Sequence, residues 1–202
     1  MTVTASKTLR DIVGLGQQQP APLTQSALIM IDLQNTYRRG VMQLTGVEEA
    51  VQEAKNLLEI ARQNNVPIFH IRHDGGEGSP YDLNDDIGAI SAEIAPIEGE
   101  PVITKQVPNS FVGTDLDEQL KALGINNLVL AGFMTHMCVN STAHGAFNLG
   151  YAPTVVASAT ASRPLEAANG KVVSAQDVHD AALASTRDLY AAVVDTVADL
   201  KI

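Results

Sequence analysis

The sequence predicts an α/β protein with three layers, in which a parallel, Rossmann-like sheet of five to six strands lies between helices on both faces. Short runs that are apolar at every position alternate with segments whose apolar residues recur at helical spacing. Continuous apolar runs are typical of strands buried on both faces. Strands that alternate with helices require crossover connections, which make neighbouring strands parallel.

The first half of the chain supplies three strands and one helix of this pattern. Ala27–Ile31 is an unbroken apolar run that stops at Asp32. A helix follows at 47–64, because its apolar residues fall on one face at the 3.6-residue period. A second strand is predicted at 66–71, and a short third strand at 102–103 ends at Lys105.

The second half continues the alternation. Thr114 is predicted to cap a helix that ends near Leu123, because Asp117 stands three residues after Thr114 as in a capping box. The remaining predicted elements are a strand at 127–133, a helix at about 137–149, a strand at 154–159, a helix at 174–190 and a short sixth strand at 192–197.

Length and composition indicate one globular domain. The 202 residues are 45% hydrophobic and 18% charged, which is neither a disordered nor a coiled-coil composition. Residues 1–25 are predicted to form a polar arm and residues 26–202 the domain. Within the arm, Leu9, Ile12, Val13 and Leu15 are expected to form one apolar turn that packs on the domain.

Charge and hydropathy exclude several functional classes. A net charge of −10 argues against a nucleic-acid-binding protein, which needs a basic surface. No stretch approaches the roughly 20 apolar residues that span a bilayer, and the first 15 residues lack the apolar region of a secretory signal. The single cysteine excludes an intramolecular disulfide. We therefore expect a cytoplasmic protein with a small-molecule substrate.

Three ionisable residues follow predicted strands directly or within a short turn. Asp32 follows the first strand, Lys105 the third, and Cys138 the fourth. Any one of them alone is ordinary: a loop-capping carboxylate, a solvated lysine or an inert buried thiol. Ligands of parallel sheets bind outside the carboxyl ends of the strands, so the three side chains should meet there.

Such a trio has coherent chemistry. A thiol attacks as the thiolate, so its pKa of about 8.5 should be lowered for reaction near neutrality. The helix that begins near Cys138 and the charge of Lys105 would both favour the anion. Asp32 could accept the thiol proton and later return it to a leaving group.

The turn Gly132-Phe133-Met134-Thr135-His136-Met137-Cys138-Val139 is the most specific signal, because it joins an apolar strand to a helix. This turn resembles that of the isochorismatase-like cysteine hydrolases, which include nicotinamidase and N-carbamoylsarcosine amidohydrolase. The segments 31–35, 104–105, 109–111 and 114–116 resemble further blocks of that family in the same order. The closest likeness within it is to streptothricin-hydrolase-like members, which open a cyclic amide.

The resemblance implies the isochorismatase-like hydrolase fold and assigns roles to individual residues. Asp32 would be the general base, Lys105 its electrostatic partner and Cys138 the nucleophile. The Phe133–Met134 peptide bond would be cis, and the backbone N–H groups of Met134 and Cys138 would form the oxyanion hole. A cysteine at the nucleophile position favours amide hydrolysis over the vinyl-ether hydrolysis of isochorismatases proper.

The residues at the end of the second strand decide whether a metal site is expected. Nicotinamidases bind a divalent metal through an Asp-x-His pair and a later histidine, whereas this region carries only His70 and His73. In a strand these two residues point to opposite faces. We therefore predict no metal and no other cofactor.

Several further residues are less specific candidates. His136 either touches substrate or bonds a backbone carbonyl, and Tyr37 and Phe111 either wall an apolar pocket or belong to the core. The acidic loop Asp82, Asp85 and Asp86 is expected to be a solvated surface or lid that could favour a cationic substrate. Small residues on the last helix suit close packing between subunits, and we expect a homo-oligomer, a dimer or a tetramer.

Three functions remain open at this point. The first is a cofactor-free cysteine hydrolase that cleaves a small amide or related C–N bond, including a cyclic one, through a thioester. The second is vinyl-ether hydrolysis, in which Asp32 protonates carbon and the thiol is a bystander. The third is a non-catalytic binding or redox-sensing protein in which Cys138 is oxidised.

Overall fold

The computed structural model describes residues 4–16 and 18–202 and contains the predicted parallel sheet. The strands are β1 (Ala27–Ile31), β2 (Ile68–His73), β3 (Val102–Lys105), β4 (Asn127–Phe133), β5 (Ala152–Ala161), β6 (Leu165–Glu166), β7 (Val172–Val173) and β8 (Ala192–Val194). Six of them pair in the order β3-β2-β1-β4-β5-β8, and every pair in this sheet is parallel. A short antiparallel hairpin of β6 and β7 was not predicted.

Helices cover both faces of the sheet, so the predicted α/β class with three layers is confirmed. The α-helices of the described residues are α1 (Leu9–Ile12), α2 (Val47–Gln63), α3 (Leu116–Ala122), α4 (Asn140–Asn148) and α5 (Ala175–Leu189). Side chains of β1 alternate between two buried clusters: Leu28 and Met30 join the cluster of α2, whereas Ile29 and Ile31 join the cluster of α3 and α4.

The strand order places β1 in the middle of the sheet, with connections that leave it in opposite directions. The chain goes from β1 to β2 on one side, while β4, its neighbour on the other side, continues to β5. A crevice forms at such a switch point, outside the carboxyl ends of the two strands. Asp32 and the turn after β4 therefore border the same crevice.

Gly132 allows β1 and β4 to approach each other at this point. Its φ of +121° lies in a region that other residues rarely adopt. A Cβ atom at this position would lie 1.9 Å from the carbonyl oxygen of Ile31. Only glycine fits at this position, which explains why the turn Gly132–Val139 begins with a glycine.

Two local predictions were wrong. The helix α3 begins after Asp115, and the Thr114 hydroxyl instead donates to the carbonyl of Ser110, because this loop folds back before the helix starts. The capping box therefore does not form. In the arm, α1 is present, but its apolar side chains stay exposed.

The arm lies on the domain through polar contacts instead. The backbone N–H of Leu9 donates to Asp188, Arg10 donates to the carbonyl of Leu189, and Gln18 donates to the carbonyl of Pro153. The strand at the end of the chain is also shorter than predicted, because Val197–Asp199 forms a 3-10 turn. Within residues 4–16 and 18–202, no helix has the length and apolar character needed to cross a bilayer.

Candidate active site

The structure brings Asp32, Lys105 and Cys138 together at the carboxyl ends of β1, β3 and β4. The Lys105 Nζ donates to Asp32 Oδ2 at 2.6 Å and to Cys138 Sγ at 3.4 Å. Asp32 is 0% exposed, Lys105 1% and Cys138 5%. A carboxylate, an ammonium and a thiol thus share one site from which water is largely excluded.

Local backbone geometry turns Asp32 into the crevice. Its φ is +49°, a left-handed conformation that is uncommon for a residue other than glycine. Its N–H donates to the carbonyl of Ile71, and its own carbonyl accepts from the N–H of Gln34. Oδ1 of Asp32 is buried and has no hydrogen-bond partner among the described residues, so this oxygen is free to accept a proton.

Cys138 lies in a π-helical turn between β4 and α4. The turn spans Thr135–Val139, and the N–H groups of Met137 and Val139 both donate to the carbonyl of Met134. The Phe133–Met134 peptide bond is cis, which confirms the prediction. The nucleophile candidate therefore lies within this wide turn, two residues before the regular helix α4 begins.

Burial controls the acidity of both reactive groups. It raises the pKa of Asp32 above its ordinary value, and the charge of Lys105 only partly opposes this rise. Burial, together with the negative charge of Asp32, raises the pKa of Cys138 to about 12, although Lys105 acts to lower it. The expectation of a lowered thiol pKa was wrong. A raised pKa favours the protonated thiol, so a neighbouring base would have to take that proton for the sulfur to react as a thiolate.

His73 is a further member of the site, whereas the sequence analysis considered it only as a possible metal ligand. Its Nδ1 lies 3.3 Å from the Lys105 Nζ, and its ring meets that of Tyr81 edge to face at 4.8 Å. His70 points away and binds Glu100 at 2.8 Å. Within the described residues, no group of three or more His, Cys, Asp or Glu side chains is arranged to hold a metal ion.

Gln34 connects the end of β1 to two other segments. Its side-chain carbonyl accepts from the N–H of His73 at 2.8 Å. Its side-chain amide donates to the carbonyls of His73 at 3.0 Å and Gly88 at 2.7 Å. Because Gln34 is completely buried, these bonds are shielded from water and hold the loop after β2 against the site.

The aromatic candidates separate in the structure. Tyr37 is buried, its ring contacts Phe133, and its hydroxyl bonds that of Tyr81 at 3.2 Å. After burial, the negative charge of Asp32 contributes to the raised pKa of Tyr37, so this residue lies beside the catalytic candidates. Phe111 stacks on Tyr151 and packs against the core cluster of α3 and α4.

The turn that carries Cys138 is tied to β5 and α5. His136 Nδ1 lies 3.1 Å from Ser162 Oγ, so it meets a side chain rather than a backbone carbonyl. Thr135 Oγ1 lies 2.9 Å from His179 Nδ1 of α5. Burial, and then the charge of Arg163, lower the pKa of His136. The Nε of Arg163 is buried without a hydrogen-bond partner among the described residues.

The acidic loop is only partly solvated, which corrects the expectation for one of its three residues. Asp82 is buried, and its carboxylate accepts hydrogen bonds from the N–H groups of Gly78 and Asn84, which shape the loop. Asp85 and Asp86 are exposed. Asp85 caps a 3-10 turn, and Asp86 pairs with Arg39.

The 109–111 segment anchors the loop after β3. Ser110 bonds the hydroxyl of Thr142 in α4 at 2.9 Å, and the Asn109 side chain accepts the N–H of Phe111. A Cβ at Gly145 would lie 2.4 Å from the amide of Asn109, so glycine lets α4 approach this loop. These contacts fix α4, and thus Cys138, relative to Lys105.

Comparison with known proteins identifies the family. The model of the isochorismatase domain matches residues 26–198. The chain belongs to the isochorismatase family. It is 39% identical over 179 residues to the uncharacterized isochorismatase family protein YddQ of Bacillus subtilis, a match that covers 87% of this chain and 99% of YddQ.

A solved isochorismatase-family structure has nearly the same fold. The isochorismatase from Pseudomonas putida superposes with a TM-score of 0.93 at 37% identity, over 97% of this chain and all of that one. The protein is thus an isochorismatase-family hydrolase with the expected six-stranded sheet.

Other relatives are named for C–N chemistry. N-carbamoylsarcosine amidase from Thermoplasma acidophilum superposes with a TM-score of 0.69 at 26% identity, over 84% of this chain and 95% of that one. The ureidoacrylate amidohydrolase RutB of Stutzerimonas stutzeri is 29% identical, over 70% of this chain and 73% of its own length.

Proposed function

We propose that this protein is a cysteine hydrolase that cleaves a small amide or related C–N bond through a thioester. The observation that carries the proposal is the buried contact of Lys105 with both Asp32 and Cys138, at 2.6 and 3.4 Å. A nucleophile, a base and a cation in one water-poor crevice are what acyl transfer to a thiol requires. Two amide-cleaving relatives support C–N chemistry for the same fold.

In the first half of the reaction, the thiol proton of Cys138 passes to Asp32 as the sulfur attacks the substrate carbonyl carbon. The raised pKa values of both groups suit a transfer during attack rather than before it. The C=O electron pair moves to oxygen, and the N–H groups of Met134 and Cys138 would stabilise that oxyanion. Collapse of this intermediate breaks the C–N bond, and the departing nitrogen takes the proton from Asp32.

In the second half, water attacks the thioester carbonyl. Asp32 accepts one proton of the water as its oxygen bonds to carbon, and the C–S bond then breaks. The departing sulfur recovers the proton, which restores the neutral thiol and releases the acid. Lys105 stays in contact with Asp32 and Cys138 and balances the negative charge that moves between them.

The substrate pocket is proposed to lie beside Tyr37 and His136. The Tyr37 ring would form a buried wall of the pocket, and its hydroxyl stays hydrogen-bonded to that of Tyr81. Phe111 would influence the site only from the α3 side, where it stacks on Tyr151. A cyclic amide of the streptothricin type and a homo-oligomeric assembly stay predictions.

The test is mass spectrometry of the intact protein after brief exposure to a panel of amides, lactams and nicotinamide, with acid quenching. We expect an added mass that equals the acyl part of a substrate and maps to Cys138, the only cysteine. A Cys138→Ala variant should show no adduct and no turnover. Turnover of a genuine substrate by Cys138→Ala at the wild-type rate would refute the mechanism.

One observation favours a second candidate, vinyl-ether hydrolysis. The raised pKa of Asp32 would also allow its protonated form to donate to a substrate carbon, with the thiol as a bystander. Alkylation of Cys138 with a small reagent separates the two candidates. Alkylation should abolish amide hydrolysis. A vinyl-ether hydrolase should keep its activity after alkylation, unless the added group blocks the pocket, and should keep it in Cys138→Ala.

A further inference from the structure

We propose that His73 is a positioning residue, whose neutral imidazole accepts a hydrogen bond from Lys105 and holds the ammonium between Asp32 and Cys138. The Nδ1 of His73 is 3.3 Å from the Lys105 Nζ. An ammonium group carries donors and no acceptor, so the Nδ1 that meets it must present a lone pair. The ring proton then belongs on Nε2.

This contact completes the surroundings of a buried cation. An ammonium has three N–H donors, and the structure offers Lys105 three acceptors: Asp32 Oδ2, Cys138 Sγ and His73 Nδ1. Lys105 is almost fully buried, so an N–H without an acceptor would be costly, and the ammonium could rotate away from the sulfur to find one.

The groups that face His73 favour its neutral form. Lys105 approaches from β3, Tyr81 from the following loop, and Asp74 is its chain neighbour. Burial and the positive charge of Lys105 lower the pKa of His73, while Asp74 acts against them. Protonation of the ring at low pH would place two positive charges side by side and break the contact.

The test uses the rate of Cys138 alkylation by iodoacetamide together with steady-state kinetics. The inference rests on the proposed function for its catalytic meaning, but alkylation requires no substrate. If wild-type protein never forms an acyl adduct, the proposed function fails, while the dependence of alkylation on His73 still decides this inference.

Two substitutions of His73 separate positioning from packing. His73→Leu fills the space but removes the acceptor, and we expect alkylation and kcat to fall about 10- to 100-fold with KM little changed. His73→Asn places a carbonyl oxygen near Nδ1 and should recover most of that loss. Because Gln34 bonds only the backbone of His73, the end of β2 stays held in both variants.

The pH dependence gives a readout that a purely structural role would not move. Asp32 titrates in every variant, but only the wild type has an imidazole to protonate beside Lys105. Because the pKa of His73 is lowered from the ordinary 6.5, we expect the ratio of the wild-type to the His73→Asn alkylation rate to fall only as the pH drops well below that ordinary value.

The control is His70→Asn on the opposite face of β2, which should lower thermal stability without changing the pH profile of alkylation. Three outcomes would each overturn the inference. They are wild-type rates in His73→Leu, equal losses in His73→Leu and His73→Asn, and a ratio of wild-type to His73→Asn alkylation rates that stays constant with pH.

Discussion

Two carboxylates on opposite sides of β2, Asp32 and Glu100, are both paired with a cation, yet their surroundings differ. Glu100 accepts hydrogen bonds from Arg62 at 2.7 and 2.8 Å, from His70 at 2.8 Å and from the N–H of Ile97 at 3.1 Å. Asp32 accepts one strong bond, from Lys105, and its Oδ1 is left without a partner among the described residues.

The difference appears in the acidity of the two groups. Partial burial acts to raise the pKa of Glu100, but the hydrogen bonds from Arg62, Ile97 and His70 lower it to about 2. Full burial raises the pKa of Asp32, and Lys105 does not compensate. A satisfied carboxylate stabilises the fold, whereas an unsatisfied one keeps an oxygen available to take a proton.

The largest expected effect is the loss of activity in Asp32→Asn. An amide cannot accept the thiol proton, so we expect kcat to fall by about 10³-fold or more. Glu100→Gln is the matched change at the other carboxylate and should leave kcat within about twofold of wild type, since Glu100 contacts none of the reacting groups. Steady-state kinetics on the substrate found by mass spectrometry measures both. A larger loss of kcat in Glu100→Gln than in Asp32→Asn would reverse the comparison.

The next effect concerns stability. Glu100→Gln removes one carboxylate oxygen and turns an NH₂ group towards Arg62 or His70. We expect the free energy of unfolding to fall by about 2 kcal/mol, because hydrogen bonds to charged groups are among the stronger ones. Urea denaturation with an unchanged m-value would measure it, and an unaltered midpoint would show that the cluster contributes nothing net.

The pH dependence of stability should have opposite signs at the two sites. The folded pKa of Glu100, about 2, lies below its ordinary 4.5, so its stabilisation is present above about pH 4.5 and is lost as the pH falls through about 2. The folded pKa of Asp32 is raised, so its contribution is present below the ordinary value of 3.8 and is lost as the pH rises through the folded value.

Denaturation at several pH values checks these signs. The stability difference between wild type and Glu100→Gln should shrink in acid. Relative to wild type, Asp32→Asn should become more stable as the pH rises. If the stability differences of the two variants from wild type changed with pH in the same direction, the opposite pKa shifts of Glu100 and Asp32 would be contradicted.

The smallest effect is expected at a third carboxylate, Asp86. Its pair with Arg39 is solvent-exposed, with side-chain exposures of 69% and 57%. Asp86→Asn should therefore change the free energy of unfolding by less than about 0.5 kcal/mol. The same urea titration measures this change, and a loss as large as that in Glu100→Gln would show that solvent does not screen the pair.

The sequence predicted the meeting of Asp32, Lys105 and Cys138 because each follows a strand of a parallel sheet. Their chemistry was less predictable. The sequence predicts a helix start near Cys138 and a lysine at the same edge of the sheet, but not the burial beside Asp32 that raises the thiol pKa. Burial depends on packing from several distant segments, which periodicity in a single segment does not report.

The partners of the supporting residues carried no local signal. Gln34 reaches His73 across 39 positions, and His136 meets Ser162 across 26. Such pairs depend on the register between segments, so neither residue type nor spacing marks them beforehand. The failed cap at Thr114 has a local origin instead, because its hydroxyl donates to the carbonyl of Ser110, four residues earlier.

The hydrogen bonds of the Gln34 side chain to His73 and Gly88 also have a kinetic consequence. If the loop after β2 moved away from the crevice at Gly88, the hydrogen bond from the Gln34 side chain to the Gly88 carbonyl would break. The same side chain accepts the backbone N–H of His73. Exchange of that amide proton with solvent requires the Gln34 side chain to release the end of β2. The exchange rate of the His73 amide therefore sets a lower limit on how often the Gln34 side chain releases that amide.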